Sequence, residues 1–186
     1  AALRQGLEDA ARFDAEYGAS LSNHLPMALV ALARLGADGP RLQAFAAHYA
    51  RRLHAAPPLE PWPAGDAWTD HLGDPRAWPA YRSLFREWIA FEGAATVLGQ
   101  ALPRLMQGAG AAAFHGLIRT AYALSANHAN ALADALAYWA CRWFSCGRPP
   151  AGGTQDDPAR VLAALPRPSL AGADLSAQAM ARAVAH

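Results

Sequence analysis

The sequence predicts an all-α protein, a multi-helix bundle-like domain with no significant β-sheet, and three observations support this class. Apolar residues recur at the spacing of an α-helix in almost every segment that has a regular pattern. No strand pattern of four or more alternating apolar and polar residues stands out. Proline and glycine fall mainly at the boundaries of the periodic segments, where they start and end helices.

Two helices are predicted near the start of the chain. Residues 3–17 have a modest amphipathic pattern. In the next segment, Ser22 or Asn23 can cap a helix, because their side-chain oxygens accept free backbone N–H groups. Pro26 fits the first turn of that helix, and Gly36 fits just past its end.

A third helix is predicted over residues 40–54, beginning at a proline. Its large apolar side chains fall on one face, which is typical of a helix packed against a core. These side chains are Leu42, Phe45, Tyr49 and Leu53. Residues 55–66 are rich in proline and are expected to form a loop.

The middle of the chain has the strongest helical patterns. Residues 78–106 fit one long helix or two, with Gly93 and Pro103 as the weak points. Residues 110–124 also have a helical period. Residues 127–144 carry an apolar stripe at i, i+4, i+7 and i+11, which strongly predicts a helix. The stripe consists of Leu132, Leu136, Trp139 and Trp143.

The end of the sequence predicts a loop or linker at 147–158, followed by short helices at 158–165 and 175–186. The last helix has no glycine, cap or polar tail after it. We therefore expect residues 1–186 to form a single helical domain that is the N-terminal half of a longer helical protein.

Composition and charge exclude several classes of protein. With 53% hydrophobic and 17% charged residues, the chain is expected to fold around a core. A formal net charge of +1 gives no electrostatic case for a nucleic-acid partner or an anionic membrane. No apolar run approaches the ~18–20 residues that span a bilayer. Every basic residue is an arginine, so the chain has no lysine for a Schiff base or a lysine-derived metal ligand.

The two cysteines, Cys141 and Cys146, are predicted to be buried free thiols. They do not form a C-x-x-C pair, and two thiols cannot build a disulfide framework. The first residues do not have the pattern of a signal peptide, because acidic residues stand among their charges. Together these features predict a cytoplasmic protein.

Seven histidines are the main chemical resource of the chain, since histidine is the commonest metal ligand and the usual proton carrier near neutral pH. None of them forms an H-x-x-x-H pair on one helical face, so a metal site must gather its ligands from different helices. The seven are His24, His48, His54, His71, His115, His128 and His186.

Each candidate histidine also has a structural interpretation. His24 fits equally well as a backbone-bonded residue at the entry of the second helix. His115, taken alone, fits a hydrogen-bonded core histidine, and His128 fits a helix cap or an exposed position. His71 next to Asp70 is compatible with a hydrolase, but the chain shows no nucleophile to accompany this pair.

A strip of polar side chains interrupts the apolar helix at 110–124. His115, Arg119 and Tyr122 lie one and two turns apart on the same side. A buried guanidinium needs an anion, so a carboxylate or a bound ligand is expected near Arg119. We therefore expect a polar internal pocket around these three residues and His24.

Two longer segments carry a resemblance to a known family. They are "YGASLSNHLPMALVALARLGA" and "AAAFHGLIRTAYALSANHANALADALAYWA". In this order they resemble the questin oxidase-like family, over roughly residues 13–145. The resemblance implies an all-helical fold and an oxygen-dependent oxidation that opens a quinone or polyaromatic ring in a Baeyer–Villiger-like reaction. The implied substrate is a small aromatic or polyketide molecule.

The resemblance also implies cofactors and site residues. It implies a mononuclear non-haem iron, Fe²⁺, that works with molecular oxygen. NADPH is a candidate reductant, although the sequence does not identify the reductant. His24 and His115 match the histidines of the two segments and are the predicted iron ligands. Arg119 and Tyr122 match the second segment, and catalytic roles facing the substrate or supporting the ligands are assigned to them. The remaining ligands are expected from a missing C-terminal half or from a second chain.

An alternative function is a non-catalytic helical module that binds a ligand or a partner, with its histidines as packing residues. The two hypotheses differ in where they place His24 and His115. Two ligands of one metal must bring their ring nitrogens within about 4 Å, because metal–nitrogen bonds are about 2 Å long. Packing residues need not approach each other at all.

Overall fold

The computed structural model describes residues 1–145 together with 159, 160 and 163. The chain divides into two compact units, residues 1–145 and 146–186. The described residues are mostly helical, with seven α-helices and one two-stranded sheet, which confirms the predicted all-α class.

Most of the predicted C-terminal features lie outside the described residues. This applies to the linker at 147–158 and the helix at 175–186. Cys146 and His186 also lie outside the described residues. That residues 1–186 form a single domain stays a prediction. Among the described residues, no helix is long and apolar enough to cross a bilayer.

The described elements follow one another in an order close to the predicted one. The helices are α1 Ala2–Ala10, α2 Leu25–Arg34, α3 Gly39–Ala50, α4 Trp78–Glu92, α5 Ala94–Leu105, α6 His115–Ser125 and α7 Ala129–Cys141. The strands are β1 Glu16–Tyr17 and β2 Leu21–Ser22, and two 3-10 turns lie at Pro75–Ala77 and Met106–Gly108.

The helix predicted over 3–17 is too long, because α1 ends at Ala10. Distant parts of the chain take over the backbone hydrogen bonds after that point. Phe13 forms an isolated antiparallel bridge with Ala55, and the Asp14 N–H donates to the His54 carbonyl at 3.0 Å. The chain then forms the β1–β2 hairpin, in which Glu16 lies opposite Ser22. No local sequence pattern indicates these pairings.

The structure corrects the predicted start of α2, because its N-cap is His24, whose side chain makes no capping hydrogen bond, instead of Ser22 or Asn23. Pro26 in the first turn and Gly36 past the end are found as predicted.

Asn23 is fully buried, and its Oδ1 accepts the Leu25 N–H at 2.9 Å. Its Nδ2 donates to the Asp14 carbonyl at 2.9 Å, so the same side chain ties the helix start to the segment after α1. Gly36 adopts φ +89° just past the helix, a conformation that favours glycine.

The segment at 78–106 forms two helices rather than one. The break falls at Gly93, which adopts φ +83° between α4 and α5. Pro103 lies within the last turn of α5 without ending it. Of the two predicted weak points, glycine is therefore the one that divides the helix, because only it adopts the left-handed backbone required there.

Helix α7 lies at the centre of the larger core. Both α4 and α6 pack against it, and Trp139 and Leu136 of the predicted stripe are fully buried. A second cluster joins α1, α2 and α3 around Leu25, Leu29 and Leu42. The apolar face predicted for the third helix packs into this second cluster.

One buried carboxylate links three segments of the core. Asp134 of α7 accepts hydrogen bonds from Arg82, at 3.1 Å from Nε, and from Arg86, at 3.0 Å from Nη2. Arg82 also donates to the carbonyl of Ala11 at 2.8 Å. The side chains of Arg82 and Asp134 are only 5% and 4% exposed, so each charge depends on the other for compensation.

The approach of α6 to α7 depends on a glycine. A Cβ atom at Gly116 would lie 2.7 Å from both Cβ and Cγ of Trp139. Such distances are shorter than any van der Waals contact, so only glycine allows the observed spacing. Because Gly116 follows His115, this contact also sets how closely the first turn of α6 packs against α7.

We expect Gly116→Ala to lower the free energy of unfolding by about 1–3 kcal/mol, because the added methyl group forces α6 away from Trp139. The matched control is Gly99→Ala in α5, where no atom lies within 4 Å of the added Cβ. This control should raise stability by up to about 1 kcal/mol, the difference in helix propensity. Urea unfolding followed by circular dichroism measures both, and two changes of the same sign would contradict the packing argument.

We expect Asp134→Asn to lower the free energy of unfolding by about 3–5 kcal/mol, since it leaves two arginines without their buried counter-charge. Asp74→Asn is the control, because Asp74 pairs with Arg76 at the surface and should change stability little. Thermal and urea unfolding compare the two variants. An equal effect at both positions would show that burial is not what makes Asp134 important.

Candidate metal centre

The structure brings His24 and His115 into direct contact. Their Nε2 atoms lie 2.9 Å apart, with ring centroids 4.8 Å apart and ring planes at 87°. This distance is within the limit of about 4 Å set by two ligands of one metal. The predicted convergence is therefore found, while the role of the two side chains as iron ligands stays a prediction.

The helices explain how residues so far apart in sequence meet. His24 immediately precedes α2, and His115 is the first residue of α6. Helices α2 and α6 pack against each other, and both histidines lie at their N-terminal ends. His24 is exposed and His115 is half-buried, so the pair opens at the surface of the described unit.

Backbone carbonyls fix the tautomer of both rings. His24 Nδ1 lies 2.7 Å from the carbonyl oxygen of Ser22, and His115 Nδ1 lies 2.6 Å from that of Ala112. A carbonyl can only accept a hydrogen bond, so each Nδ1 carries a proton and donates it. The two Nε2 lone pairs then point at one another, and either a proton or a metal cation must lie between them.

This donor set fits two adjacent positions of a divalent metal. Two metal–nitrogen bonds of about 2.0–2.1 Å at a right angle place their nitrogens about 2.9 Å apart. Histidine ligands typically donate their second ring N–H to a carbonyl or carboxylate, as both rings do here. No cluster of three or more His, Cys, Asp or Glu side chains able to hold a metal occurs within the described part of the chain. The described residues therefore bring together two candidate ligands.

Neighbouring side chains hold the backbone at His24. Its backbone N–H donates to the Tyr49 hydroxyl of α3 at 3.3 Å. Burial is the main cause that raises the pKa of Tyr49, so this hydroxyl stays neutral. The side-chain oxygen and nitrogen of Asn23 are each hydrogen-bonded. Asn23 and Tyr49 together therefore define the position of the His24 Cα atom.

A left-handed turn precedes His115. Ala112, Ala113 and Phe114 adopt φ values of 48°, 51° and 66°, and none of them is glycine. Such residues cost roughly 1–2 kcal/mol each in this conformation. The turn aims the Ala112 carbonyl at both the backbone N–H and the Nδ1 of His115. The helix predicted from residue 110 therefore begins only at His115, which is a correction to the sequence analysis.

Arg119 is buried beneath the ring of Tyr138. Its guanidinium carbon lies 5.7 Å from that ring centroid, and the residue is only 4% exposed. Its Nη1 has no hydrogen-bond partner in the described residues. Burial lowers the pKa of Arg119, and the charge of Asp134 partly opposes this. The predicted carboxylate contact is not found within this part of the chain, since Asp134 binds Arg82 and Arg86 instead.

The internal pocket expected around the strip stays a prediction. Tyr122 is half-buried, and its hydroxyl has no hydrogen bond with any of the described residues. Two clefts of about 240 and 410 Å³ lie elsewhere. Trp78 and Tyr138 line the first, whereas Trp62 and Trp88 line the second. The catalytic roles predicted for Arg119 and Tyr122 stay predictions.

Other polar candidates have structural partners. His128 Nδ1 accepts the Ala131 N–H at 3.2 Å, which is the predicted helix cap. His71 bonds to Asp66 at 2.7 Å rather than to the adjacent Asp70, whose carboxylate accepts a backbone N–H. The Asp–His pair considered for a hydrolase therefore does not form.

Cys141 is buried as predicted. Burial raises the pKa of its thiol to about 12, so the group remains a neutral thiol at ordinary pH.

The sequence analysis missed a hydrogen-bond chain next to the histidine pair. Ser22 Oγ donates to the Tyr138 hydroxyl at 2.7 Å, and that hydroxyl donates to Glu16 Oε1 at 2.9 Å. Arg142 binds the other oxygen of Glu16. Tyr138 stands beside Trp139 in an apolar helix, so its sequence context indicates packing and gives no signal of polar partners.

Comparison with known proteins adds one finding. The model of a protein family described as Questin oxidase-like matches residues 21–174, a range that includes both histidines. No curated protein and no solved structure is significantly similar to the chain.

Proposed function

The chain belongs to the questin oxidase-like family, and from this premise we propose an oxygen-dependent oxidase with a non-haem iron at His24 and His115. Membership of the family supports an oxidoreductase-type function. One observation carries the more specific proposal. The two Nε2 atoms face each other at 2.9 Å while both Nδ1–H groups are bound to carbonyls, which is the arrangement that two metal-binding imidazoles require.

The proposed reaction is the oxidative opening of a quinone or polyaromatic ring, with NADPH as the reductant. Bound iron supplies the activation of molecular oxygen, and neutral imidazoles suit Fe²⁺. The residues of this chain hold and orient it: the Ser22 carbonyl fixes the ring of His24, and the Ala112 carbonyl fixes that of His115. The remaining ligands and the walls of the substrate site come from a C-terminal half or a second chain.

The two other residues of the strip, Tyr122 and Arg119, have different roles in the proposed function. Tyr122 is half-buried on the same face of α6 as His115, so it is the one that can meet an aromatic substrate. Arg119 is too deeply buried to do so within the described unit. Its uncompensated charge instead gives the interior beneath the site a positive potential, which favours negative charge on an oxidised aromatic ring.

The first test is the iron content of the purified protein, measured on this chain and on the full gene product. We expect stoichiometric iron in the longer form. His24→Ala and His115→Ala should each remove it with little change in melting temperature, because neither side chain is buried. His48→Ala, an exposed histidine on α3, is the matched control and should keep its iron. Unchanged iron in either variant refutes the ligand assignment.

Absence of metal in every form, including the full gene product, favours the alternative function. The contact between the two histidines would then be a hydrogen bond with one shared proton, and the unit would be a helical binding module. X-ray absorption at the iron edge distinguishes the cases further, since it reports directly whether imidazole nitrogens bind the metal.

Arg119→Met is expected to reduce turnover at least about tenfold while the iron content stays unchanged, a smaller loss than the 10²–10³ caused by deleting a direct oxyanion donor. Methionine keeps the apolar stem and removes the charge. Arg104→Met is the control, because Arg104 lies similarly over a ring, that of Trp143, and should leave turnover unaffected. Normal turnover in the Arg119 variant removes this residue from the mechanism.

A further inference from the structure

We propose that Tyr138 is a positioning residue, which fixes the ring of His24 through the β1–β2 hairpin and so maintains the distance between the two histidines. The proposal rests on the function proposed above only for its consequence, metal affinity. The constraint itself lies in the contacts of this chain and can be measured without metal.

The first step is that one hydroxyl joins both strands of the hairpin. Glu16 and Ser22 lie directly opposite each other in the β1–β2 pairing. The Tyr138 hydroxyl accepts from Ser22 Oγ at 2.7 Å and donates to Glu16 Oε1 at 2.9 Å. Arg142, which directly follows α7, binds Oε2 of the same glutamate. A hairpin of two-residue strands is only marginally stable by itself, so these bonds to α7 determine where it sits.

The second step is that Ser22 also orients His24. The side chain of Ser22 is bonded to Tyr138, and its carbonyl oxygen accepts the His24 Nδ1–H at 2.7 Å. The direction of that carbonyl depends on the backbone torsions of Ser22, which the bond to Tyr138 restricts. His24 is exposed and has little packing around its ring, so this hydrogen bond and the contact with His115 define the ring orientation.

The third step is that Tyr138 is held rigidly and contacts both sides of the site. It is 1% exposed, and its ring meets Trp78 edge-on at 6.2 Å. The guanidinium carbon of Arg119 lies 5.7 Å from the centroid of the same Tyr138 ring. Arg119 belongs to α6, the helix that begins with His115. Tyr138 therefore links the hairpin that orients His24 with the helix that presents His115.

The charge state of Tyr138 suits this role. Burial is the main cause that raises its pKa, and the carboxylate of Glu16 acts in the same direction. The hydroxyl therefore keeps its proton near neutral pH and donates it in the hydrogen bond to Glu16. The Tyr138 hydroxyl thus donates one hydrogen bond, to Glu16, and accepts one, from Ser22.

The chain contains a matched control for this hydroxyl. Tyr81 of α4 is fully buried, and its hydroxyl donates to the Trp68 carbonyl at 2.7 Å. That bond has the same length as the one between Ser22 and Tyr138, but it does not involve the hairpin or either histidine. Tyr81→Phe removes one hydroxyl hydrogen bond and Tyr138→Phe removes two, in both cases from a buried ring, and only the second should affect the site.

The first measurement is an anaerobic titration of the full gene product with Co²⁺ and Fe²⁺. Tyr138→Phe is expected to weaken binding about 10–100-fold, the usual effect of removing a group that supports a metal ligand. Ser22→Ala should also weaken it, and the double variant should bind no worse than Tyr138→Phe alone, because the Ser22 side chain acts through the Tyr138 hydroxyl. Tyr81→Phe should bind as the wild type does. Wild-type affinity in Tyr138→Phe, or an equal loss in Tyr81→Phe, overturns the proposal.

The second measurement uses the metal-free protein and separates this inference from the proposed function. The His24 Nδ1–H proton is followed by ¹⁵N-edited NMR, and its exchange rate with water reports the hydrogen bond to Ser22. Exchange should become faster in Tyr138→Phe and stay unchanged in Tyr81→Phe. Unchanged exchange in both variants overturns the positioning role. If the wild type binds no metal yet exchange accelerates in Tyr138→Phe, the proposed function fails and the positioning role stands.

Discussion

Every residue of α7 from Leu132 to Cys141 is buried, and the rest of the structure depends on this constraint. A helix without a solvent-facing side must find partners inside the protein for each polar group that it carries. Asp134 finds them in the arginines of α4, and Tyr138 finds them in the β1–β2 hairpin. The positions of α4 and of the hairpin are thus fixed by polar groups of α7 as much as by apolar packing.

The candidate metal centre is exposed, but buried groups hold it in place. His24 lies at the surface, while Asn23 beside it is fully buried and makes three hydrogen bonds. His115 follows three residues in the left-handed region and precedes a glycine that allows contact with Trp139. Strain of this kind persists only where the surroundings determine the backbone, and it occurs often at functional sites. The described unit therefore presents two oriented imidazoles next to each other.

The buried charges beneath the site are not balanced by ion pairs alone. Asp134 is shared by Arg82 and Arg86, whereas among the described residues Arg119 contacts the face of Tyr138 and lies in the more distant fields of Asp134 and Asp14. Burying a guanidinium without an adjacent carboxylate lowers stability, because the desolvation of its charge is only partly offset.

The sequence by itself determined the helical class and the bounds of α2 and α3 to within a few residues, and it marked Gly93 as one of two points where a helix could divide, because these depend on interactions between near neighbours in the chain. The two segments "NHLPMAL" and "FHGLIR" also pointed to the histidines that meet in the structure. Only the tertiary structure decided that α1 ends at Ala10, that a hairpin forms at 16–22, and that Tyr138 connects it to α7. Those features arise from hydrogen bonds between segments far apart in sequence, and neither periodicity nor spacing reveals which distant group a backbone amide or a hydroxyl will bind.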